Sequence, residues 1–152
     1  MTKDEYYGTY LGMDEGTCAT ALLARRDGTC DQATHTRIIE RKAVLFRDHT
    51  ATQKAAMFPW VTGFVKQAAG QYRLAIASGG WSEQIRSTLA GDPIEAAFEL
   101  IISADDCAVG KPDPAVYECA LRQLNARRPK QPLLRASECL VIEDSVRGFR
   151  RD

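Results

Sequence analysis

Three short stretches of the sequence place polar or charged residues directly after an apolar run or in a turn. Ser78-Gly79-Gly80 follows the run that begins at Arg73, and Lys111 lies in the turn that spans 110–114. Glu143 and Asp144 follow four apolar residues, Cys139 to Ile142. A hydroxyl with glycine N–H groups can bind an anion, and a lysine can neutralise it. Adjacent carboxylates can hold Mg²⁺, so the three stretches together suit phosphoryl transfer.

Each stretch also has a purely structural interpretation. The serine and glycines can form an ordinary turn, and Lys111 can be a surface lysine before a helix that Asp113 caps. Likewise, Asp144 can accept a backbone N–H as the N-cap of a helix. All three stretches place polar residues after an apolar run or in a turn. This shared arrangement favours the functional interpretation, because ligands of open α/β sheets bind beyond the carboxyl ends of the strands. We therefore expect Ser78, Lys111 and Asp144 to converge on one side of the sheet.

The second half of the chain alternates between apolar runs and helical patterns. Strands are predicted at 73–77, 99–106 and 139–142, with helices from about Ser82 to Ala90 and after Gly110 as far as Asn125. Apolar runs without polar alternation are typical of strands that are buried on both faces. This alternation favours a parallel, doubly wound sheet.

The first part of the chain has helical spacing. Helices are predicted at 3–11, from Asp14 or Thr17 to 27, at 31–46, and from Pro59 to Gly70. Lys42 lies on or beside the apolar stripe of the third helix. Such a cation is usually the solvated edge of a helix, and a substrate-facing role is the alternative.

Composition limits the classes of function. Twenty basic and twenty acidic residues cancel, which gives no indication of a nucleic-acid or anionic-membrane surface. No apolar run approaches the ~20 residues of a membrane span. The five cysteines form no CxxC pair, which fits reduced thiols in the cytoplasm, or in the plastid stroma of a plant or alga. With 152 residues, 45% of them hydrophobic, the chain can bury one core.

Three motifs resemble those of a known family. LAIASGG, GKPDPAVYECAL and CLVIEDSVRG resemble motifs II, III and IV of the haloacid dehalogenase superfamily, most closely its phosphoglycolate phosphatase, β-phosphoglucomutase and CbbY-like group. YLGMDE and ERKAVLF resemble that group's helical cap. The resemblance implies a Rossmann-like parallel sheet, with a partial cap at 1–57 and a partial core at 58–152.

The resemblance also implies roles for individual residues. Ser78 and the Gly79 N–H would hold the phosphoryl group of a small phosphorylated metabolite, and Lys111 would neutralise it. Asp144, helped by Glu143, would bind Mg²⁺. Lys42 matches a cap lysine that reaches the substrate in some relatives.

The sequence departs from the family pattern at the nucleophile. Family members carry an apolar strand that ends in DxDGT or DxDGV, whose first Asp attacks the phosphorus. Asp27-Gly28-Thr29 is not this motif. Arg25 stands where the nucleophilic Asp would be, and it follows a helical pattern rather than a strand. The departure implies an N-terminally truncated piece that lacks its central strand. We expect this piece to show no phosphatase turnover by itself, to bind Mg²⁺ poorly and to be poorly stable.

Several functions remain open at this point. The first is a Mg²⁺-dependent phosphatase that hydrolyses a small phosphate monoester, such as a sugar phosphate, through an aspartyl-phosphate. A phosphosugar mutase of the same superfamily would share the site. A short protein that binds a phosphorylated ligand or a partner without catalysis is the alternative from another class. A dinucleotide-binding fold is disfavoured, because no GxGxxG follows any predicted strand.

Overall fold

The computed structural model of the chain describes residues 1–53, 57–111 and 113–144. Its helices are α1 (Lys3–Glu5), α2 (Glu15–Asp27), α3 (Gln32–Thr52), α4 (Pro59–Ala69), α5 (Ser82–Leu89) and α6 (Ala115–Ala126). Its strands are β1 (Leu74–Ala77) and β2 (Phe98–Ile102). A π-helical turn, Tyr6–Tyr10, continues α1, and 3-10 turns occupy Glu95–Ala97, Ala104–Asp106 and Ala136–Glu138. The mixed α/β architecture predicted from the sequence is confirmed.

Local sequence signals set the limits of the N-terminal helices. Asp14 caps α2 by accepting the N–H of Thr17, and Gly28 ends that helix with a φ of 76°, a conformation that favours glycine. Asp31 caps α3 by accepting the N–H of Thr34. Helix α3 continues to Thr52, six residues beyond the predicted end at 46. The prediction of a helix at 31–46 is therefore confirmed, but the predicted end lies too early in the sequence.

The two strands form a parallel pair that is covered by helices on both faces. In this pair Ala75 lies opposite Leu100 and Ala77 lies opposite Ile102. Successive strand residues point to opposite faces. Leu100 and Ile102 pack with α6, whereas Ile101 packs with residues of α4 and α5. This layering is that of a doubly wound sheet, and it brings the carboxyl ends of β1 and β2 to one edge.

The third predicted strand, 139–142, is not formed in the described part of the chain. The backbone at Cys139 is extended, with φ −107° and ψ 137°, but the segment pairs with neither strand. Leu140 and Ile142 are 86% and 71% exposed. An extended apolar segment becomes a strand only when a neighbouring edge satisfies its N–H and C=O groups. The predicted turn and helix after Asp144, like the boundary region at 54–56, lie outside the described residues.

The predicted strand at 99–106 was also too long. Strand β2 stops at Ile102; in the turn Ala104–Asp106 that follows, the Ser103 carbonyl accepts the N–H of Asp106 at 3.1 Å, and the Ser103 N–H donates to the Asp106 carboxylate at 2.8 Å. Ser103 is fully buried, and its hydroxyl donates to the Asp106 carboxylate at 2.8 Å. A serine with nearby aspartates competes for backbone hydrogen bonds, and this competition ends the strand.

One ion pair fastens the amino ends of both strands to α6. The Arg73 guanidinium donates two hydrogen bonds to Glu99 Oε2, at 3.1 and 2.9 Å, and one to the carbonyl of Leu124 at 2.8 Å. The hydrogen bond from Arg73 lowers the pKa of Glu99 below its ordinary value of 4.5. The pair therefore stabilises the fold above that pH and loses its contribution as the pH falls through the folded-state pKa.

Replacing Arg73 by methionine should lower the free energy of unfolding by about 2 kcal/mol at neutral pH, because Glu99 keeps its charge and loses its main partner. Urea unfolding of both proteins measures this difference. Below pH 4.5 the difference should shrink, since protonated Glu99 no longer needs the guanidinium. A difference that stays constant down to low pH would contradict this account.

No helix in the described ranges is long and apolar enough to cross a membrane.

Candidate functional site

Ser78 and Gly79 lie just beyond β1, at the carboxyl edge of the sheet. The Ser78 N–H donates to the carbonyl of Ile102 at 2.9 Å, which fixes the start of the turn to the end of β2. The Gly80 N–H donates to Ser78 Oγ at 3.1 Å, so that oxygen acts as an acceptor and its hydrogen remains free to donate. No described residue accepts a hydrogen bond from the Gly79 N–H. The turn therefore offers two donors.

Lys111 lies opposite this turn and is paired with a carboxylate. Its Nζ lies 2.5 Å from Glu143 Oε2 and 5.1 Å from the centre of the Tyr117 ring. The Tyr117 hydroxyl donates to the same carboxylate oxygen at 3.2 Å. Only 11% of the Lys111 side chain and 10% of the Glu143 side chain are exposed. An ammonium has three donors, so Lys111 can keep Glu143 and still bind a further anion.

A cavity joins the residues predicted from the three stretches. Ser78, Gly79, Lys111 and Glu143 line it, and Lys42 of α3 contributes to the opposite wall. A larger cavity of about 390 Å³ shares Ser78, Gly79 and Lys111 and continues towards α2 and α3. Asp144 is exposed and lines neither cavity. Four predicted site residues and the weaker candidate, Lys42, thus share one cavity, while their chemical roles remain predictions.

Lys42 lines the cavity and forms an ion pair with a carboxylate there. Its Nζ lies 2.5 Å from Glu15 Oε1, and the Trp81 indole N–H donates to the other oxygen of Glu15 at 2.8 Å. Glu15 thereby connects α3 to the loop that follows Ser78-Gly79-Gly80. The sequence predicted neither partner, because 27 and 66 residues separate them from Glu15. The local feature that could have indicated a contact here is the position of Trp81, directly after the glycine turn.

The described carboxylates could bind Mg²⁺ only together with further ligands from a bound substrate and water. Among the described residues, no three His, Cys, Asp or Glu side chains form a group that could hold a metal ion. Glu143 and Asp144 remain as adjacent carboxylates, one of them held by Lys111. Mg²⁺ usually takes one or two carboxylates and fills its other positions with phosphate oxygens and water. Glu143 lines the cavity with Ser78 and Gly79 and can supply one such ligand, whereas Asp144 lines neither cavity.

Asp14 was predicted only as one of two possible starting residues of α2. It caps α2, and it also lines the larger cavity beside Gly79 and Gly110. A Cβ at Gly110 would lie 2.5 Å from Asp14 Oδ2 and 2.9 Å from its Cγ. The close approach of α2 to the Lys111 turn therefore requires glycine at position 110.

Replacing Gly110 by alanine should lower the free energy of unfolding by about 1–2 kcal/mol, because the carboxylate or the turn must move. Gly63 of α4 is the matched control, since an added Cβ there meets nothing within 4 Å. Alanine at position 63 should instead stabilise the helix by roughly 0.5–1 kcal/mol. Urea unfolding of the two variants should therefore shift in opposite directions, and parallel shifts would contradict this packing.

The fold and the cavity together indicate the class of protein to which the chain belongs. The chain is an α/β protein whose helices α2 and α3 cover a cavity at the carboxyl edge of a parallel strand pair. The model of the haloacid dehalogenase-like hydrolase family matches residues 13–150, and the chain belongs to that family. The resemblance inferred from the three motifs is confirmed, and the family supports a hydrolase.

Curated relatives match parts of the chain. It is 42% identical over 62 residues to (S)-2-haloacid dehalogenase 2 of Pseudomonas sp. (strain CBS-3), covering 41% of this chain and 27% of that protein. It is 35% identical over 83 residues to a phosphoglycolate phosphatase of Colwellia psychrerythraea, covering 55% of this chain and 33% of that protein. The chain thus spans about a third or less of the length of these relatives.

Proposed function

We propose that this chain is part of a hydrolase that cleaves a small phosphate monoester, with its phosphoryl group bound between Ser78-Gly79 and Lys111. The observation that carries the proposal is that Ser78, Gly79, Lys111 and Glu143 line one cavity, although up to 65 positions separate them in sequence. The Ser78 hydroxyl and the Gly79 N–H would donate to phosphoryl oxygens, and Lys111 would neutralise their charge. Asp144 and Glu143 would hold Mg²⁺, which supplies further charge neutralisation when bound.

The Lys111–Glu143 pair gives this binding a particular form. A phosphoryl group would draw one ammonium hydrogen of Lys111 towards the cavity while another stays on Glu143. Because the pair is nearly buried, the lysine is held in place before the ligand arrives, and little side-chain entropy is lost on binding. Glu143 would also keep the local charge balanced when no ligand is bound.

Titration with inorganic phosphate, with and without Mg²⁺, tests the proposal. Calorimetry should detect millimolar binding that Mg²⁺ strengthens, and Ser78→Ala should weaken it about tenfold by removing one donor to a charged oxygen. Ser87 of α5, which lines neither cavity, is the matched control, and Ser87→Ala should leave the affinity unchanged. Phosphate binding that ignores Ser78→Ala, or the absence of any binding, would refute the proposed site.

A second candidate function is hydrolytic dehalogenation of a short 2-halo acid. The 42% identity to a 2-haloacid dehalogenase favours it. The same cavity would then bind the acid, and Mg²⁺ would have no role. The two candidates separate in one titration series: 2-chloropropionate should bind without Mg²⁺ if dehalogenation is the function, whereas phosphate should bind more tightly with Mg²⁺ if the first proposal holds.

A further inference from the structure

Glu15 is a carboxylate that the proposed phosphate chemistry does not use. It lines both cavities, yet only 9% of its side chain is exposed. One of its oxygens lies 2.5 Å from Lys42 Nζ, and the other accepts the indole N–H of Trp81 at 2.8 Å. A nearly buried carboxylate with a different partner on each oxygen is held in one orientation, because turning away would leave its charge uncompensated. Glu15 therefore fixes the positions of its two partners relative to each other.

Trp81 connects this carboxylate to the proposed phosphate position. It directly follows Ser78-Gly79-Gly80 and is the N-cap residue of α5, where its side chain makes no capping hydrogen bond. The indole instead donates to Glu15. Glycine has the widest conformational freedom of all residues, so contacts on either side must fix the path of a turn with two successive glycines. The anchoring of Trp81 is one of these contacts.

The phosphate-binding turn, 78–80, is held from two sides. On the sheet side, two backbone hydrogen bonds of 2.9 and 3.0 Å join it to β2 and to the residues just after β2. On the opposite side, the start of α2 packs against it, since a Cβ at Gly79 would lie 3.6 Å from Asp14 Cα. The hydrogen bond between Glu15 and Trp81 adds a directional contact on this second side, which packing alone does not supply.

We propose that Glu15 is a positioning residue for phosphate binding, and that it acts through the Trp81 indole to hold the turn at 78–80 in its binding shape. This inference rests on the proposed function and adds a residue to it. A ligand then meets donors that are already aligned, so binding requires less ordering of the turn. Lys42 holds the other carboxylate oxygen, which keeps Glu15 turned towards the indole.

Two substitutions of Glu15 isolate its hydrogen bond to the indole. Glu15→Gln keeps a carbonyl acceptor for the Trp81 N–H, whereas Glu15→Met keeps only the approximate length of the side chain. Both remove the charge, and both leave Lys42 without this partner, so any effect of that lysine on anion binding cancels between them. Calorimetry with inorganic phosphate should show Glu15→Met binding about fivefold more weakly than Glu15→Gln.

The same comparison in a Trp81→Phe background tests whether Glu15 acts through the indole. Phenylalanine keeps an aromatic ring and removes the N–H, so the two Glu15 variants should then bind phosphate within about twofold of each other. Urea unfolding establishes that each variant is folded. If the Trp81→Phe proteins do not fold, the comparison of Glu15→Gln with Glu15→Met still decides the question.

Glu83→Gln is the matched control. Glu83 of α5 pairs with Arg47 of α3 at 3.1 Å, so this pair also joins the N-terminal helices to α5. Its side chains are 61% exposed at Arg47 and 72% exposed at Glu83, and neither residue lines a cavity. The control should bind phosphate with the wild-type affinity. A fivefold loss in Glu83→Gln would mean that general docking of the helices, rather than Glu15, sets the affinity.

Hydrogen exchange reports on the contact itself, independently of phosphate. The Trp81 indole N–H should exchange with solvent several-fold faster in Glu15→Met than in Glu15→Gln, and the indole of Trp60, which is 73% exposed, is the internal reference. The Gly80 amide, which donates to Ser78 Oγ at 3.1 Å, should also exchange faster in Glu15→Met if the turn loosens.

The possible outcomes separate this inference from the function on which it rests. If Glu15→Met and Glu15→Gln bind phosphate equally well, or if their difference survives in the Trp81→Phe background, the inference is wrong while phosphate binding stands. If the wild-type protein binds no phosphate, the proposed function fails, and the inference fails with it.

Discussion

Replacing Lys111 by methionine is expected to abolish measurable phosphate binding and to lower the free energy of unfolding by about 3 kcal/mol. The loss of binding follows because, among the residues that the structure describes, Lys111 is the only ammonium that lines both cavities. The loss of stability follows because Glu143, with a side chain only 10% exposed, would keep its charge without its cation. Methionine keeps most of the length of the apolar stem while removing the ammonium that lies over the Tyr117 ring.

A second substitution separates the two effects of Lys111→Met. In Lys111→Met/Glu143→Gln the stranded charge is gone, so most of the lost stability should return while phosphate binding stays absent. Lys66→Met, an exposed lysine of α4, should change stability by less than about 0.5 kcal/mol and leave binding unchanged. Urea unfolding and phosphate calorimetry supply the two measurements. Unchanged phosphate affinity in Lys111→Met would remove this lysine from the site.

The pH dependence of the Lys111 contribution has a definite sign. Burial alone would lower the pKa of Lys111, but its hydrogen bond to Glu143 and the nearby Tyr117 outweigh burial and raise the pKa above the ordinary 10.5. From neutral pH up to 10.5 the lysine side of the pair therefore contributes fully, and this contribution is lost as the pH rises through the folded-state pKa of Lys111. Above neutral pH, the stability gap between wild type and Lys111→Met should accordingly narrow only in strongly alkaline solution.

Features that depend on neighbouring residues could be predicted from the sequence. The caps at Asp14 and Asp31 and the glycine end at Gly28 follow from hydrogen bonds within one helical turn; Asp14 was predicted as one of two possible starts of α2, and helix boundaries were predicted at 27 and 31. The carboxylate of Asp113 likewise accepts the N–H of Ala115 at the start of α6. Such signals need no knowledge of how the chain folds back on itself.

Features that depend on distant partners could not be predicted. The apolar composition of 139–142 is that of a strand, but a strand also needs a free, aligned edge, which composition does not encode. The sequence did not indicate the contact of Glu143 with Lys111, which lies 2.5 Å from it in space but 32 residues away in the chain. Motif order nevertheless brought Ser78 and Lys111 to the same predicted edge, because parallel strands present their carboxyl ends together.

Ile102 lies where the core meets the site, and its truncation should have the largest effect on stability. Ile102 is completely buried, and it packs in one cluster with Leu100 and with Val116, Ala120 and Leu124 of α6. Ile102→Ala should cost about 4 kcal/mol, the sum of lost burial and an unfilled cavity. That cost is a large part of the 5–15 kcal/mol that stabilises a typical domain.

The same substitution should also loosen the phosphate turn, because the Ile102 carbonyl accepts the Ser78 N–H at 2.9 Å. As β2 relaxes into the cavity, that hydrogen bond should open more often, and the Ser78 amide should exchange with solvent at least tenfold faster, in line with the reduced free energy of opening. Ile102→Val is the control: it removes one methylene, should cost about 1 kcal/mol and should leave most of the amide protection in place. Urea unfolding and amide hydrogen exchange measure the two effects. Equal losses in both variants, or a Ser78 amide that exchanges at the wild-type rate in Ile102→Ala, would show that the packing of β2 does not hold the turn.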